Sequence, residues 1–98
     1  MDSIPIFLNL VQQTIDQRGR DYGTPAENLK RISTLWSMHL EFEITEYDVA
    51  IMMCQLKIAR LSKGHHQDSL EDAAAYLSIA NSLKAQSHCT GPSHPTRE

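Results

Sequence analysis

Apolar residues recur at helical spacing in four stretches, each separated from the next by a short polar break. In the first, Ile4, Phe7, Leu8, Val11 and Ile15 share one face, Ser3 stands where a cap is needed, and Pro5 falls in the first turn. Gly19 supplies a natural stop, and Asp16, Gln17 and Arg18 before it read as solvated polar positions. The break that follows carries the strongest local signal in the chain. Gly23 permits an unusual backbone shape, Thr24 caps, Pro25 opens a helix, and Glu27 completes a capping box. Leu29, Ile32, Leu35, Trp36 and Leu40 then form the second stripe, with His39 packed at its edge.

A brief alternation around Phe42 and Ile44 is too short for a strand and reads as a loop whose two apolar residues plug the core. Thr45 caps the third helix, which is apolar nearly all round. Val49, Met52, Met53, Leu56 and Ala59 line one side, and Ala50, Ile51, Cys54, Ile58 and Leu61 much of the other. A helix of that kind is enclosed by partners. The fourth stretch sets Ala73, Leu77 and Ala80 on an apolar face, with Asp72, Tyr76, Ile79 and Leu83 along its margin. The pattern predicts helices over residues 4–18, 25–40, 46–62 and 67–85. The fold class is therefore all-α: a compact four-helix, bundle-like domain over residues 1–86, with a flexible tail over 87–98. So apolar a third helix in a chain of 98 residues predicts a homo-oligomer, at least a dimer.

Composition narrows the function. A net charge of −3 with scattered Lys and Arg offers no basic stripe, so nucleic acid is not the expected partner. No apolar run approaches membrane-spanning length and no leader precedes the first helix, which predicts a soluble, cytoplasmic protein with no membrane partner. The two cysteines, one in an apolar helix and one in the tail, fit a reducing compartment. Phosphate-binding loops, dinucleotide fingerprints and zinc-ligand spacings are absent from the sequence.

Polar residues on or beside apolar faces are the candidates for chemistry. Asp48 sits at the third position of the third helix, where it either caps that helix or holds a ligand. Asp68 and Asp72 stand one turn apart, with Glu71 beside them; carboxylates so placed suit a hard divalent cation such as magnesium. Lys57 and Arg60 either offset the helix dipole or neutralise phosphate. Arg20, Tyr22, Asn28 and His66 complete a candidate binding set, in which arginine grips phosphate, tyrosine offers a ring and asparagine reads the edge of a base.

Taken in order, Arg20-Asp-Tyr-Gly, Asn28, Leu35-Trp36, residues 45–48, Met52-Met53, residues 56–60, Asp68-Ser69, Asp72 and Tyr76 resemble a small domain of unknown function found in phages and prophages. The resemblance covers roughly residues 13–85. More distantly, helices followed by a late pair of acids look like the all-alpha nucleoside triphosphate pyrophosphohydrolases of the MazG type. That resemblance implies an oligomeric, magnesium-dependent hydrolase that releases pyrophosphate, with Asp48, Asp68 and Asp72 as catalytic residues and Asp48, Asp68, Glu71 and Asp72 as metal ligands. The MazG motif has an acidic group on one helix and Glu-x-x-Asp on the next, whereas here the third helix offers Asp48 alone. A non-catalytic phage accessory protein that binds or sequesters a nucleotide or small phosphorylated signal therefore stands as the alternative. It would use Arg20, Tyr22, Asn28, Lys57, Arg60 and His66 without needing metal.

Overall fold

The computed structural model of the chain describes residues 1–64 and 67–90, with side chains for all of these but 22, 67 and 85–90. Its elements are α1 (Ser3–Tyr22), α2 (Pro25–Leu40), α3 (Glu46–Arg60), a short 3-10 turn (Leu61–Lys63) and α4 (Gln67–Thr90). The domain is all-α, as the pattern predicts, and α2 begins and ends where expected.

Local chemistry explains the well-placed ends. At α2 the Thr24 hydroxyl accepts from the Glu27 amide and the Glu27 carboxylate accepts from the Thr24 amide, both at 3.1 Å. At α3 the same reciprocal pair joins Thr45 and Asp48, at 3.0 and 3.1 Å. The capping reading of Asp48 thus holds. Elsewhere the ends differ from expectation. Helix α1 runs through Gly19, and the break comes at Gly23, whose φ of 86° lies in the left-handed region. A side chain at Gly23 would also bring a Cβ within 3.0 Å of Glu27 Oε1, so this glycine both turns the chain and makes room for the capping box. Helix α4 continues to Thr90, past the expected end at 85. Residues 91–98, with most of the expected tail, lie outside the described residues.

Helices α3 and α4 share the most extensive interface; α1 lies on α4, and α2 on α3. The Lys57–Asp72 ion pair near one end and Lys84 over the Tyr47 ring, 4.9 Å from its centroid, near the other fix α3 and α4 as antiparallel. The core centres on Leu29, Val49, Ala50 and Ala80, with Ile32, Trp36, Ile44, Met53 and Tyr76 among the side chains packed round it. Leu29 and Val49 are essentially inaccessible, each contributing about 2 kcal/mol by burial.

Four expectations about packing are corrected. Helix α3 is not enclosed: Val49, Ala50 and Cys54 are buried, but Met52, Leu56 and Ile58 are exposed, because α2 and α4 cover only the arc of α3 that faces them. Phe42 does not plug the core; Ile44 alone turns inward, and Phe42 is 71% exposed. The reason is a clasp at Ser37, whose hydroxyl accepts from the Ile44 amide at 2.8 Å and donates to the Ile44 carbonyl at 3.1 Å, fixing the loop exit two residues beyond Phe42. His39, expected to pack, is exposed on the solvent side of α2, and Leu77 of α4 is half exposed.

Candidate functional site

Where α1, α3 and α4 meet, one carboxylate holds two cations. Arg18 Nη2 lies 3.1 Å from Asp72 Oδ1 and Lys57 Nζ lies 3.0 Å from Asp72 Oδ2. The Asp72 side chain is 8% exposed and that of Lys57 15%, whereas Arg18 remains 46% exposed. Asp72 and Lys57 therefore form a largely desolvated strut between α4 and α3, and Arg18 closes it from the solvent side. Tyr76, one turn after Asp72, packs beside them. Its hydroxyl is pushed above the ordinary tyrosine range, chiefly by burial; the adjacent Arg18 pulls the other way, while Asp72 adds to the rise.

Two hollows meet at this ion pair. The narrower, about 210 Å³, opens between α1, the start of α2 and α4. Its walls are mainly apolar, with Ile15, Leu29 and Ile79, and its polar groups are Thr14, Arg18, Asn28, Asp72 and Tyr76. The wider, about 620 Å³, lies between α1 and α4 and is polar. From α1 it is lined by Gln13, Asp16, Gln17, Arg18 and Arg20, and from α4 by Asp68, Glu71 and Asp72. Thr14, Arg18 and Asp72 line both.

The structure brings together only part of the residue set expected from sequence. Asp68, Glu71 and Asp72 open onto one hollow. Asp48 does not join them: it is engaged at the amino end of α3, nine residues and so about 14 Å along the helix from Lys57, the residue that meets Asp72. Asn28 lines the narrow hollow, and Arg20 the wider one, where its guanidinium donates to Gln17 at 2.6 Å. Lys57 contributes through Asp72. Arg60 is exposed at the end of α3 and lines neither hollow. Tyr22 ends α1, with its side chain outside the described set, and His66 lies outside the described residues.

Arg18 is the residue that sequence reasoning missed. Its polar neighbours Asp16 and Gln17 make it read as solvated, yet it follows Val11 and Ile15 at i+7 and i+3, on the buried side of α1. A cation at the end of an apolar stripe was the available signal. For magnesium, the donor chemistry is unfavourable where it matters most, because both oxygens of Asp72 already face cations. Among the described residues, no three His, Cys, Asp or Glu side chains come together as a metal-holding group.

Residues 7–84 match the family described as domain of unknown function (DUF6378), and the chain belongs to that family. It is similar to the Gene 55 protein of Mycobacterium phage L5, 44% identical over 70 residues that make up 69% of this chain and 45% of that protein. The Gene 55 protein of Mycobacterium phage D29 is 48% identical over 61 residues, 61% of this chain and 40% of its own length. The chain thus spans less than half the length of these curated relatives. No solved structure matches it.

Proposed function

We propose that this member of a phage-associated family binds a nucleotide or similar small phosphorylated molecule across the two hollows, without needing metal and without turning it over. The observation that carries this reading is the half-exposed Arg18 guanidinium at the point where an apolar-walled hollow meets a polar one. A cavity of about 150 Å³ accepts a benzene-sized ring, so a hollow of about 210 Å³ suits a single heteroaromatic base but not a whole nucleotide. There Asn28 offers an amide that accepts and donates side by side, the pattern that reads a base edge. The phosphates then lie in the wider hollow, where Arg18 and Arg20 supply forked donors and Gln13 a neutral one. Lys57 keeps Asp72 paired when Arg18 turns to the ligand, so recruitment of the guanidinium leaves no bare buried carboxylate.

The second reading, magnesium-dependent release of pyrophosphate from a nucleoside triphosphate, draws on Asp68 and Glu71 opening onto the same hollow as Asp72. The two are separated by calorimetry with a panel of nucleotides in chelator, followed by product analysis with magnesium. Retention of one nucleotide in chelator, weakened about tenfold by Arg18→Gln through loss of a charge-assisted hydrogen bond, is the expected result. Monophosphate and pyrophosphate appearing only with magnesium would select the hydrolase, and neither retention in chelator nor turnover with magnesium would remove both.

A further inference from the structure

Of the polar residues buried among the described residues, two are accounted for. Ser33 donates to the Lys30 carbonyl at 3.0 Å, and Asp72 meets Arg18 and Lys57. The third, Ser69, is completely inaccessible, and its hydroxyl has no hydrogen-bond partner among the described residues. A hydroxyl buried without a bond lowers stability, and alanine at the same place in a helix would carry no such penalty. An idle hydroxyl so placed points to a second arrangement in which it is used.

Its position supplies one. Ser69 precedes Asp72 by three residues on α4, so the two share a side of the helix with Cβ atoms about 5–6 Å apart, a gap that a hydroxyl and a carboxylate bridge with one hydrogen bond. Helical side chains lean toward the amino end, which carries the Asp72 carboxylate back over the turn that bears Ser69. In the structure both carboxylate oxygens are turned to cations, Oδ1 to Arg18 and Oδ2 to Lys57. The cations are not equally committed: the Lys57 side chain is largely buried, whereas that of Arg18 is half exposed and lines both hollows. Oδ1 is thus the oxygen that can lose its donor, and the buried Asp72 side chain has little water to replace it. A serine hydroxyl rotates to suit and can turn to the acceptor that has opened.

We infer that Ser69 is a positioning residue whose hydroxyl donates to Asp72 Oδ1 once Arg18 swings away, so that a ligand in the wider hollow draws out the guanidinium without stranding a buried carboxylate oxygen. The exchange rests on the ligand reading above only for what moves Arg18; the bond itself needs no ligand. Ser69 lines none of the hollows, so its influence on binding passes through Asp72 and Arg18.

Urea unfolding of the full chain as wild type, Ser69→Ala, Arg18→Met and the double variant tests the bond alone. Methionine keeps an apolar stem at position 18 and donates nothing, so Arg18→Met holds Oδ1 open without a ligand. Ser69→Ala is expected to leave the wild-type urea midpoint unchanged or raised, and to lower the folded-to-unfolded ratio of the Arg18→Met chain about tenfold. Equal effects of Ser69→Ala in the two backgrounds overturn the inference, because a hydroxyl that only packs, or that holds a fixed water, does not respond to residue 18. Calorimetry in chelator with adenosine, guanosine, cytidine and uridine triphosphates then reads the ligand step, where Ser69→Ala is expected to weaken binding about tenfold. Unchanged affinity beside a clear coupling overturns the ligand-driven exchange. Wild type that retains none of these nucleotides while the coupling is present removes the reading of the hollows and upholds the Ser69–Asp72 bond.

Discussion

The amino end of α3 and the junction of α1, α3 and α4 each present one aspartate that sequence marks as a candidate ligand, and they use it in opposite ways. Asp48 is half out in solvent and bonded to a neighbour three residues away, so its role is complete within one turn of chain. Asp72 is buried and meets partners 54 and 15 residues distant, so its role exists only once three helices have docked. The lesson is that a carboxylate on a helix is read by what its neighbours in space require. Periodicity says which face it occupies, not which cations stand opposite.

The comparison breaks most visibly on removing Asp72. Asp72→Ala leaves the ammonium of Lys57 desolvated and without its counter-charge, and is expected to cost about 3 kcal/mol in urea-denaturation stability. Thr45→Ala, which deletes the matching bond at the other region, is expected to cost about 1 kcal/mol and no ligand affinity. Equal losses at the two sites would mean that the junction is no more than another cap. Arg18→Gln sharpens the contrast within the junction itself. Because the guanidinium is half exposed, its pairing is screened and the stability loss should stay below about 1 kcal/mol, while ligand affinity falls. The smallest effect concerns Tyr76. Its proton is held more tightly folded than unfolded, so that contribution is intact below the ordinary tyrosine value of about 10 and is lost as pH rises through the higher folded value. Urea midpoints measured on either side of pH 10 should therefore fall more steeply for wild type than for Tyr76→Phe.

What could be read from the chain follows the same division. Thr24, Pro25 and Glu27, and again Thr45 and Asp48, announce helix starts by local chemistry alone, and the structure has them as expected. Gly19 misled because glycine stops a helix only where the backbone must turn left-handed, and Gly23 is the residue that does so. The apolar surround of α3 was legible, but not its coverage; which arc is buried depends on where α2 and α4 lie, and Met52, Leu56 and Ile58 fall outside it. Arg18 was overlooked for the same reason, since its value lies in Asp72, far along the sequence. The helices were thus legible, and their meeting points were not.

The clasp at Ser37 has a practical consequence for anyone who wishes to alter this molecule. One hydroxyl holds both the amide and the carbonyl of Ile44, so the place where the chain re-enters the core is set by a bond that bypasses residues 41–43. Their side chains, Phe42 included, point outward, and extra length between the two anchor points adds only a slowly growing loop-closure entropy. This loop is where a reporter peptide or fluorescent tag can be inserted while both hollows keep their shape.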